Sequence, residues 1–283
     1  MGDLEGFVAE VSHLVSPPEV LLRLRAALDT PNVSLDHIAL VISQDPSLCA
    51  RLLRVANSAL YGHPKRVDTL TRAISIIGTR ELYNLALAIA ASDTFGRLPP
   101  VAVDIATFWR HSVFSALMAR TMARQQRILH PERLFIAALL HDIGILVMYH
   151  RFGNELAPGF AAERGQEHLL VANEHEIVGF DHAQVGGALL TMWGLPELLT
   201  QAVTWHHAPE QAPETAVENA IVHAASMLSN GATPGTISPY GPYDADVDAG
   251  VAERLGLDET NVEGLLEETN QEFLETLSLF MPH

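Results

Sequence analysis

Residues 139–146 read LLHDIGIL, so an ionisable pair, His141 and Asp142, sits inside an otherwise apolar run. Such a pair is costly to bury unless it is paired, hydrogen-bonded or bound to a metal. Whatever fold the chain adopts must bring polar partners to that run from elsewhere in the sequence. Residues that could serve are plentiful, with 14 histidines among 283 residues. His111 lies in FWRHSVF, His182 in FDHAQVG, His206 and His207 in VTWHH, and His223 in IVHAASML.

The elements that would carry them read as helices almost throughout. Asp45-Pro46 pairs a capping acid with proline at the first helical position and opens a helix to about residue 58. Ser34 caps the helix before it. Leu70 to Ile77 has helical spacing and stops at Gly78, and Thr79 restarts a helix to about residue 91. GRLPP, residues 96–100, is the first clear break. A long helix over about 102–126 follows, and Pro131 opens another that carries the His-Asp pair. The stretch 150–180 is less regular. Asp181 and Pro196 mark further helix starts. Residues 230–248 are the most loop-like, and about 258–280 form an acidic amphipathic helix. Strand alternation and internal repeats are not evident. The expected fold is all-α. An N-terminal extension, 1–11, precedes a helical subdomain, 12–95, packed on a larger bundle, 101–228, and 229–283 supply an acidic loop and C-terminal helix.

Hydrophobic residues make up 48% of the chain, enough for a sizeable core. Residues 1–10 hold three acids and no apolar core of a leader. No uninterrupted apolar run reaches the ~20 residues of a membrane span. Cys49 is the one cysteine and cannot form an internal disulfide. These features predict a cytoplasmic protein with no membrane partner. The net charge of −17 is uneven: residues 1–100 carry 9 basic and 10 acidic side chains, whereas from Gly165 onward there are 19 acids and one base, Arg254. A nucleic-acid partner is not expected, because phosphate needs a basic face. Only Arg51, Arg54, Lys65, Arg66, Arg72 and Arg80 could supply one, and they read as a solvated surface. The segment 34–60 superficially resembles a helix-turn-helix, but its second helix offers only Arg51 and Arg54.

Imidazole and carboxylate donors together suit Fe, Mn, Ni or Zn. Adjacent residues on a helix point about 100° apart, so His141 and Asp142 can share a metal only over their common edge. Other helices must complete the set, as in bundle metal sites.

A histidine, about thirty residues, then His-Asp resembles the HD superfamily of metal-dependent phosphohydrolases. SPPEVLLRLRAAL, SLDHIALVISQDPSLCARLLRVANSALYG, AISIIGTREL, FDHAQVGGALLTMWGLPE and HHAPE narrow this. Together with LLHDIGIL they resemble the HDOD family, the HD-related output domain of bacterial signalling proteins, over roughly residues 12–228. The resemblance implies an all-α fold with an HD-type core and a signalling or regulatory output role. It implies a metal site in which His111, His141 and Asp142 match the superfamily's first ligands, and His182, His206 and His207 the extra histidines of binuclear relatives. One or two divalent transition metals are the implied cofactor. The superfamily's last aspartate ligand falls on Ser226, the lysine that often follows the His-Asp motif is Ile145, and no GYP signature follows His206-His207. YGPY, residues 240–243, is not that motif. The expected function is a signal-transduction output module with a degenerate metal site, acting through a protein partner with little or no catalysis. The alternative is a metal-dependent phosphohydrolase of a nucleotide or phosphoester, with Asp142 as its catalytic residue.

Overall fold

A computed structural model describes residues 3–11, 18–96, 103–162, 167–212, 216–232 and 247–281. Most of the break at 96–100 and of the loop-like stretch at 230–248 lies outside the described residues, as does YGPY. The helices are α1 (Leu4–Val11), α2 (Glu19–Leu28), α3 (Leu35–Ile42), α4 (Pro46–Asn57), α5 (Leu70–Ile77), α6 (Thr79–Gly96), α7 (Ile105–Gln125) and α8 (Glu132–Leu140). They continue with α9 (Ile143–Ala162), α10 (Glu167–Ile177), α11 (His182–Met192), α12 (Glu197–Thr204), α13 (Ala216–Ala232), α14 (Ala249–Leu255) and α15 (Glu259–Phe280). The fold is all-α, with no strand among the described residues.

The chain divides into two compact units. The smaller comprises Val15–Arg97 and Glu272–His283. Its helices begin where capping chemistry dictates. The Ser34 hydroxyl accepts the His37 N–H, the Asp45 carboxylate that of Leu48 and the Thr69 hydroxyl that of Arg72. Gly78, at φ +88°, ends α5 in a conformation that costs other residues a steric clash. Along α4, Leu48, Leu52, Val55 and Ala56 make one buried stripe. Asn57 then ties down the turn that follows. Its side chain accepts the Val67 N–H at 2.8 Å and donates to the Leu53 and Val67 carbonyls at 2.7 Å each. Cys49 on the same helix is half-buried.

Arg51 departs from the solvated surface expected of it. It is 1% exposed, and its guanidinium donates to the Leu279 carbonyl at 3.1 and 2.8 Å, to Ser92 Oγ and to Asp93. This is a bidentate use of the arginine fork inside the unit. The end of α15 is thereby fastened within the smaller unit, so the C-terminal stretch 229–283 is not one separate piece. Of the six basic residues, Arg54, Lys65, Arg66, Arg72 and Arg80 remain exposed.

The larger unit comprises Met1–Leu14 and Leu98–Gln271. At its centre α7 packs on α8 and α13. Its buried side includes Ser112, Ser115, Ala116, Ala119 and Ala123, small residues that let neighbouring helices approach. Helix α11 packs on α9 and α12, and α12 on α8 and α13. The N-terminal extension joins this unit: α1 packs on α11, and Phe7 lies 5.3 Å, ring to ring, from both Phe152 and Phe180.

Helix α8 does not itself carry the His-Asp pair. It ends at Leu140, α9 begins at Ile143, and His141 and Asp142 form the turn between them. The physical reason is the docking of α9 on α11. A Cβ on Gly144 would collide with the His182 carbonyl, one on Gly187 with the Thr204 side chain, and one on Gly186 would press against Val203. Three glycines thus let α9, α11 and α12 close upon one another at the level of the pair.

Candidate metal centre

His111 projects from α7, His141 and Asp142 from the turn after α8, His182 from the first position of α11, and His206 and His207 from the turn after α12. The structure brings all six together in two groups: His111, His141 and Asp142, and His182, His206 and His207. Asp142 stands between them. Its Oδ2 lies 3.1 Å from His141 Nε2 and 3.5 Å from His111 Nε2, while its Oδ1 lies 3.4 Å from His182 Nε2 and 3.5 Å from His206 Nε2. Across the groups the histidine rings are 4.9 Å apart for His141 and His206.

Local structure dictates how each ring points. His182 is placed by Asp181, which caps α11 in a reciprocal pair with Gln184. His141 Nδ1 contacts the Ala138 carbonyl at 2.7 Å, and His206 Nδ1 the Val203 carbonyl at 2.7 Å. His182 Nδ1 meets the Glu174 carboxylate at 2.7 Å, and Glu174 also accepts the His182 backbone N–H at 2.9 Å. Each acceptor fixes its partner with the proton on Nδ1, which leaves Nε2 aimed inward as a donor to a cation. Ring orientation by a carbonyl or carboxylate behind the histidine is the usual support of metal sites.

His223 does not join either group. Its Nδ1–H donates to the His206 carbonyl at 2.7 Å and its Nε2 accepts the Asp248 N–H at 3.3 Å, so it braces the turn that presents His206. Ser226 does face the centre, with its Oγ 3.1 Å from His141 Nε2. Glu174 and Ser115, whose Oγ is 3.5 Å from His111 Nε2, were not evident from sequence. Glu174 belongs to the stretch that looked irregular, and its only signal is an acid eight residues before His182 on what proves to be a helix.

The electrostatics of these groups follow from their burial. Burial pushes His111 and His206 down to about 4, and His207 well below the ordinary histidine value, with His206 and His182 adding to the effect on His207. Burial alone would raise Asp142, but the electrostatic attraction of His141 and the His182 and His206 nitrogens packed against its oxygens outweigh it and hold the carboxyl well below its usual range. Burial would lower His182, but the Glu174 charge, the hydrogen bond to Glu174 and the nearby Asp142 charge raise it. At neutral pH His111, His206 and His207 are therefore neutral imidazoles beside the Asp142 carboxylate, whereas His182, held between Glu174 and Asp142, keeps a proton that a bound metal ion would displace from Nε2.

These residues fit a transition-metal ion. Asp142 Oδ1 and His206 Nε2 are buried without a hydrogen-bond partner, a costly arrangement for polar atoms that a cation between them would relieve. The donor set is imidazole and carboxylate, which suits Fe, Mn, Ni or Zn.

Comparison with known proteins identifies the family and the fold. Residues 14–209 match the model of the HDOD domain. An uncharacterized protein of Treponema pallidum (strain Nichols) is 29% identical over 202 residues, 70% of this chain and 38% of that protein, so the chain spans less than two fifths of that relative's length. A crystal structure from Shewanella amazonensis SB2B, named as a candidate phosphohydrolase, superposes with a TM-score of 0.71 at 23% identity over 97% of each chain. Another from Marinobacter aquaeolei VT8, named as a candidate signal transduction protein, gives a TM-score of 0.69 at 22% identity over 96% of this chain and 60% of that one. At these identities the two structures speak to the fold alone. With the family model covering more than half of its length, the chain belongs to the HDOD domain family.

Proposed function

We propose that this protein is a cytoplasmic signal-transduction output module in which a buried transition-metal centre organises the larger unit, and that its output passes to a protein partner with little or no turnover. The observation that carries this reading is the enclosure of the centre. The side chains of His141, His182 and His206 are fully buried, and Asp142 and His111 are only 8% and 14% exposed. A phosphoester substrate needs room beside the metal and a cation to hold its charge. Buried Ile145 stands where the resemblance would put a lysine, and Ser226 where it would put a carboxylate. The acidic second half of the chain repels phosphorylated ligands at long range. The 25-residue stretch Glu132–Leu156 is long and apolar enough to cross a membrane, but 89% of its apolar 18-residue segment is buried in the structure. This supports a core role and a protein with no membrane partner.

One observation favours hydrolysis of a nucleotide or other phosphoester as a second reading. The two oxygens of Asp142 each face a different histidine group, as a ligand shared by two metals would. Metal bound there would polarise a phosphoryl oxygen and lower the pKa of a bound water. A screen of metal-loaded protein against nucleotides, cyclic dinucleotides and a chromogenic phosphodiester separates the readings. The signalling reading expects rates that Asp142→Asn leaves unchanged. Metal-dependent turnover that Asp142→Asn abolishes would establish the second reading in its place.

A further inference from the structure

The two histidine groups differ in how their polar atoms are satisfied. On one side, His141 Nε2 has the Ser226 hydroxyl at 3.1 Å and His111 Nε2 at 3.3 Å, and His111 Nε2 has the Ser115 hydroxyl at 3.5 Å. With Nδ1–H of His141 given to Ala138, its Nε2 accepts, and the Ser226 hydroxyl and His111 can donate to it. None of the inward polar atoms on this side is buried without a partner. On the other side the count does not close. Both partnerless buried atoms, Asp142 Oδ1 and His206 Nε2, point there and stand 3.5 Å apart. His182 Nε2 is 3.4 Å from the same Oδ1 and 2.7 Å from His207 Nε2. Ligand atoms of a tetrahedral site with bonds of 2.0–2.2 Å stand ~3.3–3.6 Å apart. Two of these separations already match, and the His182–His207 pair has less than 1 Å to open.

We infer that the protein binds one metal ion tightly, at His182, His206, His207 and Asp142 Oδ1, and that the His111–His141 side has become a hydrogen-bonded wall beside it. This rests on the reading of the centre as a metal site. Three imidazoles and one carboxylate oxygen make a complete tetrahedral set, the closed arrangement of structural zinc sites; catalytic sites keep a position open. The wall side offers only two imidazoles and the other carboxylate oxygen, with a neutral serine hydroxyl as the remaining neighbour. Its ions are weaker for want of a charged donor, and Ser226 supplies the hydrogen bond that makes their absence tolerable.

Titration of the metal-free full chain with Co2+, followed by its visible absorption, tests this. The expected result is one tight equivalent with the intense absorption of tetrahedral Co2+. His111→Ala keeps that equivalent and spectrum, whereas His207→Ala weakens it at least ten-fold. His207→Gln, which keeps the side-chain volume, should do the same if His207→Ala folds poorly. Ser226→Asp is expected to add a second equivalent. A single equivalent lost in His111→Ala but kept in both His207 variants would overturn the inference while leaving the metal reading intact. Two equal equivalents in the unmodified protein would overturn it in the same way. No binding at all would overturn both.

Discussion

Glu174 illustrates what a single residue contributes and what sequence alone conceals. Its carboxylate is fully buried and accepts both the His182 ring and backbone N–H, so its charge is spent on one histidine. Replacing Glu174 with Ala should weaken metal affinity by about 10–100-fold, the usual cost of losing a partner behind a ligand. Glu174→Gln, which retains an acceptor, should recover part of it; isothermal titration with Zn2+ reads both. The histidines themselves were legible, because their motifs and order resemble a known pattern. Their supporting atoms were not, since an acid or a serine acquires that meaning only from helices meeting in space. The metal-free protein should also respond to acid. His111 and His206 are pushed down to about 4, and His207 is lowered too. Between the unfolded value of about 6.5 and about 4, the unfolded chain binds more protons at these sites, so stability falls as pH falls. His182, raised in the folded state, is protonated in both states over most of that window and does not offset the loss. Urea melts of chelated protein between pH 7 and 4.5 should show it, and saturating Zn2+ should shift the midpoint of the loss to lower pH. A flat profile over that range would show that these histidines are hydrated.

Among the elements, helix starts were the most readable features. Ser34, Asp45 and Asp181 cap as their chemistry predicts, because a cap depends on a few adjacent residues. The placement of His141 and Asp142 in a turn between α8 and α9 was not readable, since LLHDIGIL is as apolar and as helical on either side of the break. What creates the turn is contact with α11, made close by Gly144, Gly186 and Gly187. Gly144→Ala places a methyl against a backbone carbonyl, which cannot swing aside as a side chain can. It should cost about 1–3 kcal/mol of stability by overpacking and weaken metal binding as well, because it displaces both the His-Asp turn and His182. Gly264→Ala, in the exposed interior of α15 where no neighbour lies near, should leave metal binding unchanged and raise stability by about 0.5–1 kcal/mol through helix propensity. Denaturant unfolding and Zn2+ titration of the two variants make the comparison. A Gly144→Ala protein as stable and as tight for Zn2+ as the unmodified one would place the origin of the turn elsewhere.

For the whole molecule, the all-α class followed from helical punctuation along the entire chain, but the division of the chain did not follow its linear order. Residues 1–14 belong with the larger unit and residues 272–283 with the smaller. Arg51 explains the second case, because nothing in the sequence of α4 announces that its guanidinium will hold a carbonyl 228 residues away. Arg51→Met should cost ~2 kcal/mol or more, leaving Ser92, Asp93 and the Leu279 carbonyl to find other partners. Its effect should appear as increased hydrogen exchange near residues 272–281 with metal affinity unchanged, since no ligand lies in that unit. The −17 charge and the closed histidine centre are the features on which the proposed signalling role rests. That account depends on the centre holding a metal. The most direct measurement is the anomalous difference density of crystals grown with Zn2+, recorded on either side of the zinc absorption edge. The account expects one strong peak enclosed by His182, His206, His207 and Asp142, ~2.0–2.2 Å from each ligating atom. No peak among these residues, with the protein correctly folded and Zn2+ present, would contradict it.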